Sequence, residues 1–337
     1  MVGMTSRYKI IPEWSIPKEL FLVWPGGIPK RNHLIPNFLN LIKQIPNTLG
    51  LSLIINKREQ QNEINKLLIE NEIHKSVSYI DMPFSSNSQS YDIWIRDWAP
   101  LCVIDDSGNR VYIKAKYHPK YLSSREADVC DNAGRLLLDV LHVEAISFPL
   151  IWDLGNFTHN GNGIGIVTSR IITDNNSFSK IDIYDLFNQM LGIKKLIFID
   201  EEPGDATGHV DGLIRFISKN KLVISRYPQD CFEENKFIDS VKKHIKMELG
   251  SSVGFIDVPN GLFSDESNEG IQSAFGNHIN YLHLGTHLMM PIYGIDSDDA
   301  ALSIMKKSLP RTKIIPIESS ILSHKGGVLN CISWCLY

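Results

Sequence analysis

Long apolar runs are missing from this 337-residue chain. No stretch approaches the ~18 consecutive apolar residues that a membrane-crossing helix requires. The first residues, Met1 to Tyr8, hold no apolar segment of the kind that marks a secretory leader. A cytoplasmic location without a membrane partner is therefore expected. Cysteine is scarce: Cys102, Cys130, Cys231, Cys331 and Cys335 are five in number and scattered. That excludes a disulfide scaffold and leads us to expect reduced thiols. Positive charge is also short, with 34 Lys and Arg against 38 Asp and Glu and a formal net charge of −4. A surface for nucleic acid or anionic lipid needs clustered basic residues to displace counterions. Neither partner is expected, and a small cation is the easier ligand.

What is present is a composition, 43% hydrophobic and 21% charged, that suits a chain burying a large core. Short β-rich runs alternate with helical patterns from end to end, which makes the class α/β. Strands are predicted over 51–55, 76–80, 101–104, 164–168, 195–199, 222–225, 253–258 and 313–317. The spacing of apolar residues predicts helices over 59–73, 126–141, 181–191, 233–249 and 297–309. The last opens with Asp296, Ser297, Asp298 and Asp299, suited to a cap and to the helix dipole. Two polar stretches, 85–90 and 263–270, read as loops. No shift in composition divides the chain, so residues 1–337 read as one domain. Helical units recur at intervals of roughly 50 to 70 residues, which admits a repeat architecture without showing one.

Four segments could carry chemistry. Trp94-Ile95-Arg96-Asp97-Trp98-Ala99-Pro100 sets aromatic walls beside a carboxylate, as a site for a flat cation needs. An Arg–Asp pair at a strand end, with the tryptophans in the core, is the plainer reading. Gly208-His209-Val210-Asp211 puts a histidine and an aspartate at i and i+2, on one face if the segment is an extended strand. Asp153-Leu154-Gly155-Asn156 is a turn-rich lead into a strand. Gly326-Gly327-Val328-Leu329-Asn330-Cys331 places a thiol among small residues, where it is either an accessible nucleophile or a buried structural cysteine. Cys331 and Cys335 have no second pair nearby, so no metal site is expected.

Taken in order, these segments resemble the agmatine deiminase and bacterial-type peptidylarginine deiminase family of the guanidine-modifying superfamily. The shared motifs are Trp-x-Arg-Asp-x-Gly-Pro, acidic-Gly-Gly-Asn/Ser, Gly-His-Val-Asp and Gly-Gly-x-x-His-Cys-x-Thr/Ser. Pro12-Glu13-Trp14, Val23-Trp24-Pro25 and Asn280-Tyr281 extend the likeness over nearly the whole chain. The resemblance implies a five-bladed, pseudo-fivefold α/β propeller of ββαβ repeats, the pentein fold, with its site in the central channel. It implies Cys331 as nucleophile, His209 as general acid and base, and Asp97 and Asp211 as anchors for a guanidinium. Asp153, Trp94 and Asn156 would line or support the substrate site, and no metal or organic cofactor is called for.

Those residue types suit the chemistry. A guanidinium is planar, charged and resonance-stabilised, so it needs carboxylates to orient it and a soft nucleophile to attack its carbon. Hydrolysis of agmatine to N-carbamoylputrescine and ammonia is the activity first expected. A peptidylarginine or other guanidine deiminase, an amidinotransferase and a non-catalytic propeller are the alternatives, and a homo-oligomer is admitted. Three positions depart from the family pattern. Ala99 and Leu154 stand where glycine is usual, and Asn330 where histidine precedes the nucleophile.

Overall fold

The computed structural model describes residues 7–82, 91–261, 267–268 and 270–337. The loop expected at 85–90 lies outside the described residues. The described part of 263–270 includes the short strand Ser267–Asn268, paired with Ile271–Gln272.

One unit recurs: an antiparallel pair of strands, a helical crossover, and a third strand parallel to the second. Parallel neighbours need such a crossover, because a tight turn cannot reverse the chain twice. The first unit runs through Leu101–Asp105, Arg110–Lys116, helix Ser124–Val140 and Ala145–Ile151. The second comprises Thr158–His159, Ile164–Thr168, helices Arg170–Asp174 and Lys180–Leu191, and Lys195–Ile199. The third is Ile214–Ser218, Lys221–Arg226, helix Phe232–Leu249 and Gly254–Pro259. The fourth is Leu282–Leu284, His287–Ile292, helix Ser297–Ser308 and Lys313–Glu318.

The fifth unit is assembled from both ends of the chain. Ser333–Leu336 pairs antiparallel with Glu19–Val23, which continues through helix Ile35–Gln44 to Gly50–Ile55. Helix Gln60–Glu70 and strand Ser78–Asp81 extend that sheet. Five ββαβ units closed by the two termini make the five-bladed α/β propeller that the resemblance implies.

Local chemistry explains where the elements begin and end. Helix Ser124–Val140 starts at a reciprocal cap between Ser123 and Glu126 and buries Ala127, Cys130, Ala133, Leu137 and Leu138 against its sheet. Helix Lys180–Leu191 has the same device at Ser179 and Asp182, and ends at Gly192, whose φ of 71° suits glycine. Helix Ile35–Gln44 escapes the periodicity reading because Pro36 stands inside it, although proline is tolerated in a first turn. At helix Ser297–Ser308 the capping expectation needs correction: Asp296 makes no side-chain cap bond. Asp298 instead accepts from the backbone N–H groups of Tyr293, Gly294 and Ile295 and pairs with His278.

Candidate active site

The segment leading into the first strand of each unit reaches the same central region. These five segments carry, in chain order, Asp97, Asp153 with Gly155, His209 with Asp211, Asn280, and Asn330 with Cys331. Asp97 sits in the short helix Ile95–Trp98, not at a strand end. Asp211 lies in a turn closed by bonds from Leu213 and Ile214 N–H to the Val210 carbonyl, and His209 directly precedes that turn. The extended strand expected there is therefore corrected, yet the turn still brings both side chains inward.

Bonds between the segments set the geometry. His209 Nε2 lies 2.9 Å from Asp153 Oδ2, and its Nδ1 lies 3.9 Å from Asp97 Oδ1. Gly155 N–H donates to Asp97 Oδ1 at 3.1 Å, and its carbonyl accepts from Asp211 N–H at 3.1 Å. A Cβ on Gly155 would fall 2.4 Å from His209 Nδ1 and 2.6 Å from Asp97 Oδ1, so only glycine lets the imidazole and the carboxylate approach. Gly327 has a similar task, because a Cβ there would meet the Trp94 ring at 2.8 Å and Cys331 Cβ at 3.1 Å. Asn330 Nδ2 donates to Asp211 Oδ2 at 2.7 Å. The Cys331 thiol lies 3.4 Å from Asn280 Oδ1 and 4.0 Å from Asp211 Oδ2. Cys331, His209, Asp211 and Asn280 bound a narrow cavity of about 60 Å³.

Its electrostatics are dominated by carboxylates gathered around one imidazole. Burial would strip the proton from His209, but the carboxylates of Asp97, Asp153 and Asp211 outweigh it and hold the imidazolium well above the usual histidine range. Burial pushes Asp97 up to about 8, with His209 opposing and Asp153 and Asp211 adding to the shift. Asp211 is raised by burial against the pull of His209 and Arg215. Burial, then Asp211 and Asp97, push the Cys331 thiol well above its ordinary range. Among the described residues no Lys or Arg bounds this cavity.

The other sequence candidates fall around this centre. Trp94 packs its ring against Gly327 beside Cys331. Asn156 is buried, and its Oδ1 accepts from Thr168 N–H at 2.8 Å, so it fixes the strand end and does not bound the cavity. Ala99 is extended at φ −74°, so the residue that replaces glycine there is unstrained. Leu154 joins the apolar core with Trp152 and Phe157 and is not among the residues that bound the cavity. Sequence reasoning did not single out Asn280, Arg215 or Glu202 for the site. Arg215 is wholly buried, pairs with Glu13 at 2.6 Å, stacks 4.1 Å from the Tyr281 ring centre and reaches Asn330 Oδ1 at 3.3 Å. An arginine alternating with apolar residues in a strand was the available signal.

Among the described residues no three His, Cys, Asp or Glu side chains are arranged to hold a metal ion, and no helix is long and apolar enough to cross a membrane. The profile of the Porphyromonas-type peptidyl-arginine deiminase family matches residues 9–336. A Vibrio parahaemolyticus relative with a provisional agmatine deiminase name is 23% identical over 290 residues, 77% of this chain and 78% of its own length. Among solved structures, the agmatine deiminase of C. jejuni superposes with a TM-score of 0.83 at 19% identity, over 100% of this chain and 98% of the other. The agmatine deiminase of Enterococcus faecalis does so with a TM-score of 0.80 at 17% identity, over 100% and 98%. At these identities the structural likeness is one of fold.

Proposed function

The chain belongs to the Porphyromonas-type peptidyl-arginine deiminase family, and on that premise we propose that it hydrolyses a guanidino group to a ureido group and ammonia, with agmatine as substrate. The observation that carries this reading is the meeting of one thiol, one protonated imidazole and the three carboxylates of Asp97, Asp153 and Asp211 beside a cavity bounded by Cys331, His209 and Asp211. The names of its relatives point to agmatine.

The reaction follows from the charges. A guanidinium between Asp97 and Asp211 donates charge-assisted hydrogen bonds to both carboxylates, and its positive charge offsets the burial and the repulsion that keep Cys331 protonated. The thiol gives up its proton to solvent water as the cation arrives, His209 being already protonated, so the nucleophile is generated where its target already sits. Thiolate attack on the guanidinium carbon gives a tetrahedral adduct. His209, its Nε2 held by Asp153, protonates the departing nitrogen, and ammonia leaves an amidino-thioether on Cys331. The neutral imidazole then takes a proton from water, which attacks the same carbon, and collapse releases the ureido product and the thiol.

The test is an assay of ammonia and ureido product with agmatine, arginine and an arginyl peptide, no amine acceptor being added. Agmatine is expected to give both products in equal amounts and to be the best of the three. Absence of ammonia from all three would remove the hydrolytic reading. Ammonia from the peptide alone would move the substrate to peptidylarginine.

A further inference from the structure

We propose that Asn330 is a positioning residue for the reaction: its side-chain amide, turned one way only by Arg215, holds the Asp211 carboxylate charged and in a fixed direction. The inference rests on the deiminase reading and deepens it, since Asp211 is one of the two carboxylates assigned there to the guanidinium. Among the described residues, three carboxylates bound the cavity of Cys331: Glu202, Asp205 and Asp211. Glu202, buried, accepts from the Tyr227 hydroxyl, and Asp205 accepts from Thr207 and His209 N–H. Asp211 alone of the three is held by a side chain from the segment that carries Cys331.

Asn330 is only 2% exposed and stands between two groups of opposite need. Its Oδ1 accepts from Arg215 Nη2 at 3.3 Å, and its Nδ2 donates to Asp211 Oδ2 at 2.7 Å. A guanidinium has donors only and an ionised carboxylate acceptors only, so the amide turned the other way round would lose both bonds. Arg215 cannot swing aside. Its Nη1 donates to the Ile279 and Tyr281 carbonyls, and its Nη2 also to Glu13 at 2.6 Å. The backbone of Asn330 is fixed as well, its N–H donating to the Asn280 carbonyl at 3.1 Å. The paired charges of Glu13 and Arg215 thus reach the cavity through a single amide.

A carboxylate that accepts a hydrogen bond at one oxygen keeps its charge more readily and offers the other oxygen in a set direction. Burial raises Asp211, and His209, Arg215, the Asn330 amide and Arg96 oppose it. Asp97 and Cys331, the other titratable groups that feel Asp211, carry charge of the same sign when ionised. Without the amide, Asp211 keeps its proton to a higher pH. A neutral imidazole has one lone pair and one N–H, so it can meet Arg215 and Asp211 as the amide does, and the guanidinium beside it disfavours the imidazolium. The shared pattern of acceptor and donor accounts for asparagine at a position where histidine is usual.

The experiment follows the side-chain carboxyl carbon of Asp211 by NMR across pH, in protein labelled at aspartate, the signal being identified by its loss in Asp211→Asn. Asn330→Leu is expected to raise its midpoint by about one pH unit or more. The same substitution is expected to lower kcat/KM for agmatine about 10²-fold near pH 7, a deficit that shrinks as pH rises and Asp211 ionises without help. Asn330→His is expected to return the midpoint most of the way and kcat/KM to within about tenfold of wild type. An unmoved midpoint in Asn330→Leu, or a folded Asn330→His that behaves as Asn330→Leu does, would overturn the proposal. So would a loss of rate equal at every pH, which would make Asn330 structural only. Should one variant fail to fold, Asn330→Ala serves for the first and Asn330→Gln, with the same amide, for the second. The midpoint needs no turnover: its shift in a protein that releases no ammonia from agmatine would keep the role of Asn330 and remove the deiminase reading. Ammonia release with the midpoint unmoved would do the reverse.

Discussion

Glu13, partly buried, and Asp97, buried, are carboxylates of the same five-bladed shell, yet one is held down at about 2 and the other pushed up to about 8. Burial raises both. Glu13 more than recovers it from Arg215, His159 and Arg96, whereas Asp97 has His209 alone against Asp153 and Asp211. The cavity that Glu13 bounds with Arg96, His159 and Cys335 has its charges closed within the protein. The cavity of Cys331 does not: three aspartates surround one imidazolium. A cluster with matched charges holds a shape. A cluster with a surplus of one sign is completed only by a ligand of the other, and it is this imbalance, more than any single residue, that carries our proposal for where the substrate binds.

The two cavities each have a thiol, which allows the sharpest break between them. Cys331→Ser should lower ammonia release from agmatine by on the order of 10⁴-fold, because a hydroxyl is a far poorer nucleophile at neutral pH and nearly the same size. Cys335, pushed up to about 12 by burial on the matched side, is inert there, and Cys335→Ser should keep most activity. Steady-state rates with a thermal melt for each protein check the pair. The opposite pattern would place the nucleophile on the wrong side.

Much of this was legible in the sequence, and the limits have physical causes. Strands 164–168 and 195–199 were read at their observed bounds because both are short, apolar and β-branched between turn signals. Thr158–His159 and Leu282–Leu284 are too short for a period-2 pattern to register. Glu19–Val23 and Ser333–Leu336 pair across the whole chain, which no local window can see. Motif order, not periodicity, supplied the propeller. Asp97, His209, Asp211 and Cys331 stood out because their residue types and spacing carry a chemical meaning. Glu202 and Arg215 did not, since what singles them out is burial and partners, and those exist only once the blades close.

The matched cluster is expected to depend on its acid. Glu13→Gln leaves the Arg215 guanidinium, fully buried, with carbonyls and amides but no directly paired carboxylate. Removing one partner of a buried pair costs about 3–5 kcal/mol, and the amide oxygen that still accepts should put this variant near about 3. The sign with pH follows from a carboxyl held down at about 2 against an ordinary 4.5: its contribution is full above 4.5 and is lost as pH falls towards 2. The deficit of the variant, measured by denaturant unfolding, should therefore shrink as the pH is lowered through that window. An unchanged midpoint at neutral pH would show that the matched side has no need of its charge.

The same acid-to-amide change on the other side should do the opposite, and this is the smallest effect and the most telling. Asp97→Asn keeps an oxygen to accept from Gly155 N–H and removes a carboxylate that burial and its neighbours disfavour. Activity should fall on the order of 10²- to 10³-fold, because the guanidinium loses a charge-assisted partner and meets an amide donor. Stability should rise, by on the order of 1 kcal/mol near neutral pH. The folded protein retains a proton on Asp97 up to about 8, while the unfolded chain releases it near 3.8. Wild-type stability is therefore drawn down as pH rises between those values, and the asparagine variant is spared that loss. Asp153, still bonded to His209 at 2.9 Å, remains to hold the imidazolium in the variant. The gap in melting temperature between the two proteins should be smallest near pH 4 and widen towards pH 8. A variant less stable than wild type throughout, with its activity lost, would mean that Asp97 holds the fold together as Glu13 does, and the distinction between the two cavities would fail.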